Sequence, residues 1–128
     1  MKRILFIEDD EPLSALLSKI FSKHYQVVVI NNAFDAWCFL TEGDRPDLIV
    51  SDINMPMLDG LEFLENLSQS GLYKDIPVVM LSGINDAAKR NACLNLGAQA
   101  FVDKPFEPGM LLQTVNRVLN ENKNIHAL

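Results

Sequence analysis

The sequence predicts an α/β fold: a five-stranded parallel sheet, doubly wound by helices in (βα)5 order. Three observations carry this. The chain has 128 residues, enough to bury a substantial core in one compact domain and too few for a second. Five times along it, a short apolar run of β-prone residues gives way to apolar residues at helical spacing. Those runs are continuous rather than alternating, as expected of strands covered by helices on both faces.

The first strand is read at Arg3 to Ile7, before a Pro12-led helix with Leu13, Leu16, Leu17, Ile20 and Phe21 on one stripe. Val27 to Ile30 then precede Ala33, Ala36, Trp37 and Leu40, and Leu48 to Val50 precede Leu61, Leu64 and Leu67. Asp59 before Gly60 is read as a helix N-terminal residue rather than a ligand. Val78 to Leu81 lead into a fourth helix whose sparse stripe is built from Ala88, Ala92 and Leu96, closed by Gly97 as its C′ residue. Ala100 to Val102 lead into the last helix, with Leu111, Val115 and Val118. Residues 1–122 form the expected domain and 123–128 a short tail.

Composition is that of an ordinary globular domain, 48% apolar and 22% charged, without a low-complexity tract. The net charge of −6 and the lack of a Lys/Arg stripe on any expected helix argue against direct nucleic-acid binding. Met1-Lys2-Arg3 and the apolar run after it imitate a signal peptide, but the run ends at Glu8-Asp9-Asp10-Glu11. No run approaches the roughly 20 apolar residues of a membrane span, so a cytoplasmic protein without membrane attachment is expected. Cys38 and Cys93 lack metal-ligand spacing and read as small buried hydrophobes. His24 and His126 read as incidental, and Trp37 and Phe63 as packing residues.

In a doubly wound fold the functional site lies beyond the carboxyl ends of the strands. Those ends carry Glu8-Asp9-Asp10, Ser51-Asp52, Ser82-Gly83 and Asp103-Lys104-Pro105. Glu8, Asp9 and Asp52 would form a cluster of like charges that calls for a cation. With oxygen ligands alone and no His or Cys nearby, Mg²⁺ suits the set better than Ca²⁺, which wants more ligands. An aspartate at a strand end is ionised at neutral pH and can act as a nucleophile toward phosphorus without a general base. Phosphoryl transfer otherwise needs alignment and charge neutralisation, which Mg²⁺, Lys104 and the Ser82 hydroxyl could supply.

These residues resemble the receiver domains of bacterial two-component response regulators, a CheY-like, flavodoxin-like fold, over essentially the whole chain. The resemblance rests on Ile4–Asp10, on Asp47-Leu48-Ile49-Val50-Ser51-Asp52-Ile53-Asn54-Met55-Pro56-Met57-Leu58-Asp59-Gly60, and on Gly97–Phe106, in the family's order. It implies that Asp52 is the phosphoacceptor for a histidine kinase or phosphotransfer protein. It implies that Asp9 and Asp52 bind Mg²⁺ directly, Asn54 through its backbone carbonyl, and Glu8 mainly through water. Ser82 and Lys104 would contact the phosphoryl group, and Lys104-Pro105 would be a cis peptide. Ser82 and Phe101 would form the switch that changes the face of the fourth helix, fifth strand and fifth helix for a downstream partner or output domain, with a phosphorylation-dependent dimer as one outcome. Many relatives carry Tyr where this chain has Phe101, so the switch here would work by packing alone. Hydrolysis of the phosphoryl group would depend on Asn54 and Ile84; Ile84 has no polar atom to orient water, which implies a long-lived phosphoryl state.

Two other classes use related parts. Haloacid-dehalogenase-like phosphatases pair an Asp nucleophile with a second Asp two residues on, where this chain has Asn54. Flavodoxin-like FMN modules place a Ser/Thr-rich phosphate loop after the first strand, where four consecutive acids stand here. A receiver-like module that is never phosphorylated is the third alternative. The chain is expected to signal rather than turn over a substrate, and no output domain is expected within it.

Overall fold

A computed structural model describes the backbone of residues 1–43, 45–55, 59–83 and 87–127, with side chains through 121. Its order is β1 (Arg3–Ile7), α1 (Glu11–Phe21), β2 (Gln26–Ile30), α2 (Ala33–Thr41), β3 (Leu48–Asp52), α3 (Gly60–Ser68), β4 (Val78–Ser82), α4 (Ala87–Asn95), β5 (Ala100–Asp103) and α5 (Pro108–Ala127). The strands form one parallel sheet in the order β2-β1-β3-β4-β5. The α/β (βα)5 expectation is met.

Side-chain alternation along the strands divides the core in two. Leu5, Ile7, Ile49, Ile53, Val78 and Met80 face α2, α3 and α4. Ile4, Phe6, Leu48, Val50, Val79 and Leu81 face α1 and α5. β1, β3 and β4 are buried on both faces, whereas the edge strands β2 and β5 are only half-buried, because each has a neighbour on one side alone.

Helix starts are set by short polar side chains that accept the first orphan N–H groups. Asp10 accepts from Leu13 N, Asn32 from Asp35 N and Asp59 from Glu62 N. Asp59 is therefore the cap expected from its place before Gly60. The end of α4 is a Schellman turn: Gly97 takes φ +95°, its N–H donates to Leu94 O, and Ala98 N–H donates to Cys93 O.

One expectation is corrected. The sequence places the core stripe of α4 on Ala88, Ala92 and Leu96, but Ala88 is exposed and the fully buried residue is Cys93, with Leu96 partly packed beside it. Alanines supply too little apolar area to orient a helix, so the larger Cys93 and Leu96 decide which face turns inward. α5 runs to Ala127.

α4 is weakly seated as a result. α5 buries Leu111, Val115, Val118 and Leu119 and α3 buries Phe63, Leu64 and Leu67, while α4 buries Cys93. At about 1.5–3 kcal/mol for each large apolar side chain removed from water, α5 is anchored several-fold more strongly. Trp37, on α2, meets Phe63 and Tyr73 edge-on at 6.3 and 5.7 Å and serves as packing.

Candidate metal and phosphoryl site

The register of the central strands assembles the acids. Ile7 at the end of β1 pairs with Ser51, so Glu8 and Asp9 leave the sheet beside Asp52. Oxygens of Glu8, Asp9 and Asp52 all lie within 4.8 Å of one another. Glu8 is 2% and Asp52 7% exposed, while Asp9 opens to solvent. The backbone N–H of Asn54 donates to Asp52 Oδ1 at 3.4 Å, which orients the carboxylate at the start of the following loop.

Lys104 comes from the other side of the sheet's carboxyl edge, directly after β5, where it forms with Pro105 the cis peptide bond that the resemblance implied. Its Nζ stands 2.8 Å from Asp52 Oδ2 and 3.2 Å from Glu8 Oε1. Burial alone would lower the lysine's pKa, but the hydrogen bond and charge of Asp52, joined by Glu8, outweigh it and raise it above the usual range. Burial pushes the Glu8 carboxyl upward, and the charge of Asp52 adds to that; the Asp10 N–H and Lys104 pull against it without winning.

Three carboxylates face one ammonium, so two negative charges remain for a divalent cation to balance. The donors are all oxygens, and one acid, Asp9, is open to water. The residues fit a hard cation of the Mg²⁺ type.

The other expected residues are placed differently. The hydroxyl of Ser82, 1% exposed, donates to Asp103 Oδ1 at 2.9 Å, turned toward β5. Phe101 is half-buried against the α2–α3–α4 core layer, with the Arg90 guanidinium carbon 5.0 Å from its ring centroid. The side chain of Asn54 is exposed, and its Oδ1 accepts from Lys89 Nζ at 3.0 Å. Ile84 lies outside the described residues.

Several site neighbours were missed from sequence. Asp103 shows in the sequence only as part of a strand end, yet it accepts from both Ser82 and Arg90. Lys89 reaches from α4 to Asn54 and to Asp59, 3.2 Å away. The signal was a basic pair, Lys89-Arg90, on a helix with almost no apolar stripe. In the sequence Gly60 is marked only by the cap before it, but a Cβ there would stand 2.2 Å from the carbonyl oxygen of Asp52. Its hydrogen draws α3 against the end of β3, and its N–H donates to Ile53 O at 2.8 Å.

A five-stranded sheet wound in this order, with acids and a lysine at its carboxyl edge, is the architecture of the CheY-like domains. The chemotaxis response regulator CheY4 of Vibrio cholerae superposes with a TM-score of 0.82 at 29% identity, covering 92% of this chain and 98% of that one. The signal receiver domain of a signal transduction histidine kinase from Syntrophus aciditrophicus gives 0.86 at 32% identity, covering 94% and 92%. The sequence matches the response regulator receiver domain family over residues 4–116, and the chain belongs to that family of two-component systems. Response regulator Rre1 of Synechocystis sp. is 34% identical over 120 residues, which make up 90% of this chain and 51% of Rre1. The chain spans about half the length of the curated response regulators it matches. Among the described residues, no helix is long and apolar enough to cross a membrane.

Proposed function

We propose that this receiver domain takes a phosphoryl group on Asp52 from the phosphohistidine of a kinase or phosphotransfer protein. The observation that carries the reading is the Asp52 carboxylate itself, clustered with Glu8 and Asp9 and held 2.8 Å from Lys104 at the carboxyl edge of the sheet.

An Asp52 oxygen attacks phosphorus, the Asp52 O–P bond forms, and the P–N bond to the departing imidazole breaks. Asn54 N–H orients the carboxylate, and Lys104 sits where it can pass from the carboxylate to a phosphoryl oxygen. Asp9 and Asp52 would hold Mg²⁺ directly, with the Asn54 carbonyl and, through water, Glu8. Bound there, Mg²⁺ supplies positive charge against the phosphoryl oxygens. Water later attacks phosphorus, the Asp52 O–P bond breaks, and inorganic phosphate leaves as the carboxylate is restored. The side chain of Ile84 carries no polar atom that could orient that water, which favours a long-lived phosphoryl state.

Ser82 and Phe101 form the switch, and the α4–β5–α5 face carries the output to a protein partner, to an attached domain or to a second copy of the chain. The role is signalling, inside the cell, without nucleic-acid contact by this domain.

Intact mass after incubation with acetyl phosphate tests the reading. The native chain should gain one phosphoryl group only when Mg²⁺ is present, and Asp52→Asn should gain none. A gain on Asp52→Asn, or none on the native chain with either acetyl phosphate or a phosphorylated kinase, would overturn it.

A further inference from the structure

We infer that Asp103, fastened by Arg90, is a positioning residue that holds the Ser82 hydroxyl away from Asp52, so that Ser82 joins a phosphoryl group only by leaving Asp103 and loosening α4. This rests on the phosphoacceptor reading above and adds to it two residues of this chain.

The alternation of the sheet sets up the competition. Asp52 pairs with Leu81, and both continue the layer facing α1 and α5. Ser82 is one residue further along β4 and so belongs to the opposite layer, with Met80 and Phe101, under α4. In that layer Ser82 pairs directly with Asp103 across β4 and β5, and its hydroxyl donates to Asp103 Oδ1 at 2.9 Å.

A serine hydroxyl has one proton to donate. It cannot serve the Asp103 carboxylate and a phosphoryl oxygen together, so the two acceptors exclude each other. The same Oδ1 also accepts from Arg90 Nη1 at 2.8 Å, and the Arg90 guanidinium lies over Phe101. One carboxylate oxygen thereby joins the hydroxyl that would meet the phosphoryl group to the helix and the aromatic ring that would report it. α4 has Cys93 as its fully buried side chain, so polar ties of this kind weigh more for it than for its neighbours.

The size of the effect follows from exposure. The side chains of Asp103 and Arg90 are 70% and 41% exposed, and ion pairs so open to water are weak. Releasing Ser82 from Asp103 should therefore favour phosphorylation by about two- to five-fold, not by orders of magnitude. Linkage makes the coupling reciprocal: whatever draws Arg90 off Asp103 should favour the phosphorylated state, and phosphorylation should loosen Arg90 from Asp103 in turn.

The test is the rate of Asp52 modification by acetyl phosphate with Mg²⁺, followed by intact mass, for Asp103→Val and Arg90→Met, each made in the native chain and in Ser82→Ala. Asp103→Val should raise the native rate about two- to five-fold, and Arg90→Met should raise it less. Neither should change the rate of the Ser82→Ala protein, because no hydroxyl remains to be released. An unchanged rate in the native background, or the same change in both backgrounds, overturns the inference while leaving Asp52 as acceptor. A native chain that takes no phosphoryl group removes the reading on which it rests.

Discussion

The ammonium nitrogen of Lys104 lies 2.8 Å from Oδ2 of Asp52. The two residues are 52 positions apart in the chain, and the bond spans the carboxyl edge of the sheet from β5 to β3. With Glu8 it forms a triad in which one cation serves two buried acids.

Removing that cation should expose the imbalance. Lys104→Met leaves Asp52 and Glu8 facing each other without the ammonium, and stability to urea without metal should fall by about 1–3 kcal/mol. Adding Asp52→Asn to the same chain should recover part of the loss, because the uncompensated charge goes with it. A double-mutant cycle with equal effects in both backgrounds would show that the pair is not coupled.

Gly60→Ala should be among the more damaging small substitutions. The new Cβ would meet backbone atoms, Asp52 O at 2.2 Å and Ile53 Cα at 2.8 Å, which cannot rotate away. Displacing α3 from the end of β3 should lower stability by about 1–3 kcal/mol and slow modification of Asp52 as well. Gly71→Ala is the control, since nothing lies within 4 Å of its Cβ position. Equal unfolding midpoints for the two variants would contradict the clash.

The raised Glu8 pKa has a definite sign for stability. Between the usual carboxylate value and the raised one, the folded state keeps a proton that the unfolded state has lost, so stability falls as pH rises through that window. In EDTA, Glu8→Gln should flatten this decline, because glutamine does not titrate. Parallel urea midpoints for native chain and variant, from the ordinary carboxylate range to neutrality, would show that Glu8 titrates normally. Lys104 contributes in the opposite sense: its raised pKa adds stability that is fully present below the usual lysine value and is lost as pH rises through the folded one.

Mg²⁺ should stabilise the native chain by mass action, by about 2.7 kcal/mol at a hundred times its dissociation constant. The shift in Tm should vanish in Asp9→Asn and Asp52→Asn, and persist in Asp103→Val, which lies outside the acid cluster. Retention of the full shift in Asp9→Asn would place the cation elsewhere.

The acids, the lysine and the fold were legible in the sequence for one reason. Parallel strands bring their carboxyl ends to one edge, so residues that close successive apolar runs are neighbours in space whatever their separation in the chain. Glu8, Asp9, Asp52 and Lys104 all stand at such ends, and each strand announces its end by its apolar run. Asp10 and Asp59 could be assigned to helix starts on equally local grounds.

What only the tertiary structure decided is the partner of each side chain that points off the sheet's edge. Ser82 and Asp52 both close strands, but opposite parity sends them to different layers, and it is register that gives Ser82 to Asp103. Arg90 and Lys89 meet Asp103, Asn54 and Asp59 only because α4 turns Cys93 inward, a rotation that its weak apolar stripe does not disclose. Gly60 lacks a side chain because the backbone of Asp52 occupies its place. Strand ends are a local property of the chain, whereas helix rotation and sheet parity are settled by packing among elements far apart in it.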